Sequence, residues 1–413
     1  MENNGLFAQE QHNQREPLPG APPFAKRGKN LDSSRKYPAP PGHGHVLMTD
    51  CLVPLYDNDA GSLYMWNMIG LFRKLDWNIT FYPENLTPIQ PYSSELQQMG
   101  VEIIYGQTTF PKFIQEHNAQ FDLALLRRPA YAFHKLDLIR MFTPTAKIIY
   151  DTVDLHFLRE QRRAAVEQDM NVFLSSVSYK AMELYLAKFS DLTFTVTEVE
   201  RQHLLRLDPS LKVAVIPIIH SVPEGIRPAF DHRSGLIFLG NYAHTPNIDA
   251  VKWFVTEIWP AISQQLPNVA FYIIGSNTPK DFAQLETIPG VKVIGRVTEV
   301  GPWFDRCRLF VSPLRYGAGM KGKIGHAMSY GLPVVTTGIG AEGMQLEDGE
   351  TALIAESPME FANAAVRLYE SSSLWQHLAG KALAHVQKYY TPQIAERRLA
   401  AALENLGCAQ RDV

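Results

Sequence analysis

Cysteine is scarce. Cys51, Cys307 and Cys408 are the only three in 413 residues, and they stand far apart. An odd, scattered set supports neither a disulfide framework nor a metal site built on paired cysteines. It suits a reducing compartment, so the sequence reads as cytoplasmic. An excess of charge of either sign is lacking too. Lys and Arg total 39 against 42 Asp and Glu, a formal net charge of −3. Outside Arg159–Arg163 and a small N-terminal cluster the basic residues are dispersed, so nucleic acid is not expected as a partner. No apolar run approaches the roughly 18 residues of a spanning helix, and the N-terminus is polar, so neither a signal peptide nor a membrane span is predicted. Peripheral membrane contact stays open. No repeat with a period of roughly 20 to 50 residues is visible, which excludes a solenoid. No cluster has metal-ligand spacing, so no metal is expected.

What is present fills two cores of ordinary size: 46% of the residues are apolar. Residues 1–44 are the exception. They are rich in Pro, Asn, Gln and Arg and are expected to form a disordered tail. From His45 short apolar runs alternate with helical patterns. Strands are predicted near Val46–Asp50, Ile79–Tyr82, Val101–Tyr105, Leu123–Leu126, Ile148–Asp151 and Leu192–Val196, with helices at Leu63–Phe72, Phe110–Glu116 and Lys135–Met141. That rhythm predicts an α/β fold with a parallel sheet of roughly six or seven strands covered on both faces. Pro217, Pro223 and Pro228 break it and place a linker over residues 217–234, between domains at 45–216 and 235–390. The final stretch, 391–413, has apolar positions at helical spacing over Pro392–Leu406.

The richest stretch runs from Pro313 to Gly343. A short apolar strand, Arg308–Ser312, feeds a loop containing Gly317, Gly319 and Gly322, and Ile324, Ala327 and Met328 then recur at helical spacing. Glycines admit close approach of backbone N–H groups to a ligand, and a helix N-terminus favours an anion. Lys321 and Lys323 add positive charge there, so phosphate is the expected guest. A second strand, Leu332–Thr337, is followed by Gly338, Gly340 and Gly343. Both turns match G-x-G-x-x-G. They fall late in their domain, however, without the context of a dinucleotide fingerprint. Two tight turns with no ligand is the plainer alternative.

The combination Gly317-Ala-Gly319-Met-Lys321-Gly-Lys323, Ala327-Met328, Gly331-Leu-Pro333-Val-Val335-Thr-Thr337 and Glu342-Gly343 resembles the donor-binding region of the retaining GT-B glycosyltransferases of family 4, the glycosyl transferases group 1. The resemblance covers residues from about 45 to 405 and implies a GT-B fold, two Rossmann-like domains facing across a cleft. It implies an acceptor-side domain over 45–216, a nucleotide-sugar-binding domain over 235–390 and a C-terminal helix packing back on the first domain. Many members carry a glutamate pair at the places held here by Ala318 and His326, so this chain looks like a bacterial-type subgroup lacking that pair.

The resemblance further implies roles for named residues. Lys321 and Lys323 would hold the donor diphosphate with help from Arg315 and Asn241, the latter in a loop with His244 and Asn247 where relatives commonly place a basic residue. Gly317, Gly319 and nearby amides would hold the sugar, Glu342 a sugar hydroxyl or the diphosphate side, and His326 the ribose. Arg296 lies in a segment similar to one that lines the base. Gly61, after the first strand, would offer its turn to a phosphate from the opposite side. Asp151-Thr-Val-Asp154-Leu-His156 sits just past a strand, where catalytic groups of open α/β sheets collect, and resembles a segment of bacterial members. His156 and Asp154 are its candidates for a sugar hydroxyl or acceptor, with Lys321 as the catalytic charge. Caps and satisfied surface residues are the bland readings of the same positions.

The function implied is transfer of a sugar from a nucleotide-diphospho-sugar to a hydroxyl of a glycan or lipid-linked glycan, as in polysaccharide biosynthesis, with retention and without a cofactor. The alternative is a catalytically silent sugar-nucleotide-binding or partner-binding protein of the same fold. A GT-B-shaped epimerase or phosphorylase is a further rival.

Overall fold

The computed structural model describes residues 44–118 and 120–408. The tail expected over 1–44 lies outside the described residues apart from Gly44, which opens the first strand. Seven short apolar runs make one sheet: β1 (Gly44–Asp50), β2 (Trp77–Pro83), β3 (Val101–Ile103), β4 (Leu123–Arg127), β5 (Lys147–Asp151), β6 (Leu192–Thr195) and β7 (Val213–Val215). Their order is β3-β2-β1-β4-β5-β6-β7. Six more make a second sheet: β8 (Leu236–Leu239), β9 (Phe271–Ile274), β10 (Val291–Gly295), β11 (Leu309–Ser312), β12 (Val334–Thr336) and β13 (Leu353–Ile354), in the order β10-β9-β8-β11-β12-β13. All pairings between these strands are parallel.

Helices cover both faces, so the strands read as apolar runs rather than as alternating ones. In β4 all five residues are buried; Leu123 and Leu125 join one core, and Ala124 and Leu126 another on the opposite face. The first of these cores continues through Ile216, Ile218 and Ile219 of the connecting segment to Phe310 and Val334 of the second sheet. It ends on Tyr390, Ala395 and Leu399, near and within the helix Pro392–Asn405. That helix lies against the helix Ala60–Lys74 of the first half, where Lys74 Nζ stands 2.5 Å from Glu396.

Each sheet reverses its order at one point, between β1 and β4 and between β8 and β11. Connections leaving the carboxyl ends of those neighbours diverge and leave a crevice. At the first crevice a buried charge network fixes the strand ends. Arg127 closes β4 with no exposed surface; its Nε donates to Asp151 at 3.0 Å, its Nη1 to Asp50, and its Nη2 to the Gly61 carbonyl at 2.8 Å. Asp50 ends β1 and Asp151 ends β5, so one guanidinium ties three adjacent strand ends to the first turn of the helix Ala60–Lys74. Burial pushes the Asp50 carboxyl up, but Arg127 and Arg128 override this and hold it at about 2.

The two crevices face each other at close range, and glycines permit it. A Cβ on Gly319 would stand 2.9 Å from Asp154 Cβ, one on Gly343 2.4 Å from Thr197 Cγ2, and one on Gly322 3.1 Å from Ala60 Cβ. Charged and polar bonds cross as well. Arg162 grips both oxygens of Glu342, at 2.7 and 2.6 Å, and donates to the Gly317 carbonyl at 2.7 Å. Arg296 meets Asp57 at 3.1 Å, and Ser276 Oγ donates to the Asn58 carbonyl at 3.2 Å.

Arg127→Met leaves Asp50 and Asp151 buried with their shared partner gone. It is expected to destabilise the first half by about 3–5 kcal/mol, measured as a fall in the urea midpoint followed by tryptophan fluorescence. A second test compares two left-handed glycines, Gly319 at φ +68° and Gly331 at φ +62°, the latter with no atom within 4 Å of an added Cβ. Gly331→Ala is expected to cost roughly 1–2 kcal/mol of backbone strain. Gly319→Ala should lower the melting temperature further, because it also drives a methyl into Asp154. Equal losses would show that this contact yields freely.

Candidate functional site

On the first-sheet side, the loop after β1 ends at Asp59, which caps the helix Ala60–Lys74: Oδ1 accepts from Ser62 N at 2.8 Å and Oδ2 from Ser62 Oγ at 2.7 Å. Asp59 and Ser62 therefore form the cap as one unit. After β5 the chain turns through Val153 at φ +65° into the helix His156–Glu167. Two buried carboxylates hold that turn. Glu200 accepts from Leu155 N at 2.9 Å, and Glu183, on the helix Met170–Phe189, accepts from His156 N at 3.0 Å and Phe157 N at 2.8 Å. These are free N–H groups of a helix start, satisfied here from two other helices, Met170–Phe189 and Glu198–Leu207.

On the second-sheet side, the glycine loop after β11 delivers Lys321 and Lys323 to the start of the helix Gly322–Ser329. Lys321 is 6% exposed and donates to the Gly319 carbonyl at 2.8 Å. Burial lowers its ammonium to about 8, against the pull of Glu342 and Glu200. Lys323 donates to Asn247 and lies 4.5 Å over the Phe238 ring. Burial, with the like charge of Lys321, lowers it to about 7. Burial thus makes both ammonium groups easier to deprotonate than an exposed lysine.

A cavity of about 980 Å³ spans both crevices. Of the predicted site residues it is lined by Gly61, Asp154, Asn241, Arg296, Gly317, Lys321, Lys323 and His326. His244, Asn247 and Ala318 join them. His326 stands edge-on to Phe304 and Tyr330, and burial lowers it to about 4, so it is neutral at pH 7. Arg296 reaches the cavity already bridged to Asp57.

Four predicted residues lie elsewhere. Arg315 turns to Asp249, its Nε 2.9 Å from Oδ2, and stacks over Trp253. Glu342 is occupied by Arg162, because the second glycine turn is in fact a one-turn helix, Gly338–Ala341, that sets the carboxylate against the first half. Gly319 spends its missing side chain on the close approach to Asp154. His156 is buried, with Nδ1 3.1 Å from the Asp154 carbonyl oxygen and its ring against Tyr179. Burial lowers it to about 4. Asp154 does reach the cavity, but Arg159 Nη1 stands 2.5 Å away and, against the effect of burial, holds its carboxyl well below the usual range.

Sequence reasoning missed other wall residues. Arg128 and Arg159 line the cavity from the first half, and His220, from the connecting segment, lies directly over Gly325, its Nε2 2.2 Å from where a Cβ would be. The signal for Arg128 was readable: two arginines and a proline closing a wholly apolar strand. Among the described residues no group of three or more His, Cys, Asp or Glu could hold a metal ion, and no helix is long and apolar enough to cross a membrane.

Comparison with known proteins bears on this geometry. Residues 233–371 match the family described as glycosyl transferases group 1. An uncharacterized 44.6 kDa protein in the cps region of Klebsiella pneumoniae is 26% identical over 184 residues, 42% of this chain; the match spans about half the length of that relative, 47%. Among solved structures, sucrose-phosphate synthase from Thermosynechococcus elongatus superposes with a TM-score of 0.72 at 14% identity, covering 88% of this chain and 99% of its own. Anabaena Alr3699/HepE, solved in complex with UDP and glucose, does so with a TM-score of 0.58 at 14% identity, covering 87% and 99%. The chain has the GT-B fold, two parallel α/β sheets with Rossmann-like order facing across a cleft, and its second half carries a glycosyl transferases group 1 domain.

Proposed function

We propose that this protein is a glycosyltransferase that takes a nucleotide-diphospho-sugar into the cavity between its sheets and moves the sugar, with retention, to a hydroxyl of a glycan or lipid-linked glycan. The observation that carries this reading is the pair Lys321 and Lys323, set at the crevice of the second sheet in a cavity that the first sheet closes. HepE, of the same fold, is solved with UDP and glucose, and the same ligand class suits this cavity. The departing group is a diphosphate. Fixed ammonium groups in a low-dielectric wall stabilise the charge that develops on it without reorganising at the moment of reaction. Closure of the two halves around both substrates supplies orientation. The diphosphate oxygen leaving on one face is the base for the acceptor hydroxyl arriving on the same face, so the neutral, buried His156 is not required as one. His326, uncharged, offers one donor and one acceptor to a ribose hydroxyl where relatives have a carboxylate. The reading places the protein in the cytoplasm, with peripheral membrane contact where the acceptor is lipid-linked.

One observation favours the second reading, a silent sugar-nucleotide-binding protein. Ala318 brings no carboxylate to the sugar, and Asp154 and Glu342 are already paired with Arg159 and Arg162. Turnover separates the two. Incubating the full chain with a panel of nucleotide-diphospho-sugars and glycan acceptors should release nucleoside diphosphate and elongate an acceptor. Binding without release would establish the silent reading instead.

The lysines set a pH dependence. In the free protein they titrate near 8 and 7, and a bound diphosphate would keep both protonated. Above pH 7 binding must therefore take up protons, and affinity should fall as pH rises, by up to about tenfold per unit for each lysine. Calorimetric titration with a nucleoside diphosphate from pH 7 to 9 is expected to show that fall. Lys323→Ala should bind more weakly at pH 7 and lose part of the slope; an unchanged slope would remove Lys323 from the diphosphate site.

A further inference from the structure

Arg128 lines the cavity and has no part in this account. Strand β4 ends at Arg127 and a helix, Pro129–Phe142, starts two residues later, so a single residue turns the chain. Arg128 does so at φ +61°, ψ 131°. A residue with a Cβ is strained there, more so before proline, whose ring presses its predecessor toward extended, negative φ. Strain of this kind persists where the surroundings impose it, and it gathers at functional sites. Its consequence here is direction. Arg127 turns into the sheet, whereas Arg128 turns out into the cavity wall beside Gly61 and Val153, on the side opposite Lys321 and Lys323.

The Arg128 side chain is only 25% exposed. Its Nε donates to Asp50 at 2.9 Å, which fixes the plane of the guanidinium. Neither Nη1 nor Nη2 has a hydrogen-bond partner among the described residues. Nη2 lies 3.1 Å from where a Gly61 Cβ would be, at the first turn of the 15-residue helix Ala60–Lys74. The dipole of that helix start favours negative charge on the same spot; the Asp59 carboxylate that caps it lies beside the guanidinium, its Oδ1 3.1 Å from the same Cβ position, without taking a hydrogen bond from Nη1 or Nη2. A guanidinium held by one edge, with its other edge open in a cavity, matches two oxygens of a phosphoryl group.

We propose that Arg128 is the anion receptor of the first half: its open Nη edge takes phosphoryl oxygens of a ligand whose other end is held by the second half. This rests on the sugar-nucleotide reading of the cavity. The phosphoryl group has two chemical sources, the diphosphate of the donor or a phosphate carried by the acceptor. In either case the ligand touches both halves, so its binding and their closure are coupled.

The test is isothermal titration of the full chain, comparing wild type with Arg128→Gly, Arg128→Lys and Lys323→Ala. Glycine relieves the positive φ and so offsets part of what is lost with the Nε–Asp50 bond; Arg128→Gly is titrated well below its melting temperature, and Arg128→Gln, read in the same way, serves if it does not fold. One arm titrates uridine diphosphate and inorganic diphosphate. A loss of at least tenfold for both in Arg128→Gly, partly recovered in Arg128→Lys, supports the proposal with the donor as source. The other arm titrates glycerol phosphate into protein saturated with uridine diphosphate. Loss there alone supports the acceptor as source. Wild-type affinity of Arg128→Gly for all three probes overturns the proposal, and if Lys323→Ala still loses uridine diphosphate the donor reading survives that failure. Wild type binding inorganic diphosphate through Arg128, but none of the uridine, guanosine, adenosine, cytidine and thymidine diphosphates, would instead sink the sugar-nucleotide reading and keep the receptor.

Discussion

One buried guanidinium organises the first half of this protein. Arg127 has no exposed surface and takes hydrogen-bond acceptors from three directions, Asp50, Asp151 and the Gly61 carbonyl. Burying an arginine is tolerable only when its donors are met and its charge is matched. Meeting those demands fixes the relative heights of β1, β4 and β5 and the start of the helix Ala60–Lys74. Those are the elements that border the crevice, so the polar demands of one side chain set the floor on which a ligand would rest. They also explain why two charged strand ends, Asp50 and Asp151, sit inside a parallel sheet that is otherwise apolar.

The second constraint is closeness. The glycine-rich turns invite an anion-cradle reading, and Gly317 does line the cavity. Gly322 lines it too, whereas Gly319 and Gly343 answer a different need, since each faces a first-half atom where a side chain would clash. Arg162 on Glu342 and Arg296 on Asp57 tie the same seam electrostatically. Asp57 and Arg296 are both well exposed, so their bridge is weak and suited to breaking and reforming. The Arg162–Glu342 fork is largely shielded and bidentate, and is the firmer of the two. A cleft closed by contacts of graded strength can admit a ligand by releasing the weakest first.

Charge in the cavity is arranged by partnership rather than by count. Asp154, Arg159, Arg296 and Asp57 reach the wall already paired. Lys321 and Lys323 hold only neutral partners, a carbonyl and an amide, and Arg128 keeps one edge open. Positive groups with donors to spare therefore come from both halves. A ligand with negative charge in its middle suits such a site better than one charged at an end.

The alternation of apolar runs and helical patterns was enough to predict the α/β class and its parallel strands. Those features depend on local propensity and on burial of both sheet faces, which any reader of the chain can see. The helix Met170–Phe189 was not visible in that way. Its apolar residues lie all round, with Met170, Phe173, Leu174 and Val177 exposed, so no single stripe announced it. For the site, Lys321, Lys323, Gly61 and Asp154, picked out from loop chemistry that is written locally, do line the cavity. Arg315, Glu342, Gly319 and His156 stand outside its lining and Arg128 was passed over, since where a long or turn-borne side chain points is settled by partners distant in the chain. Asp249, Arg162, Glu183 and Asp50 decide those directions, and only the folded structure brings them near.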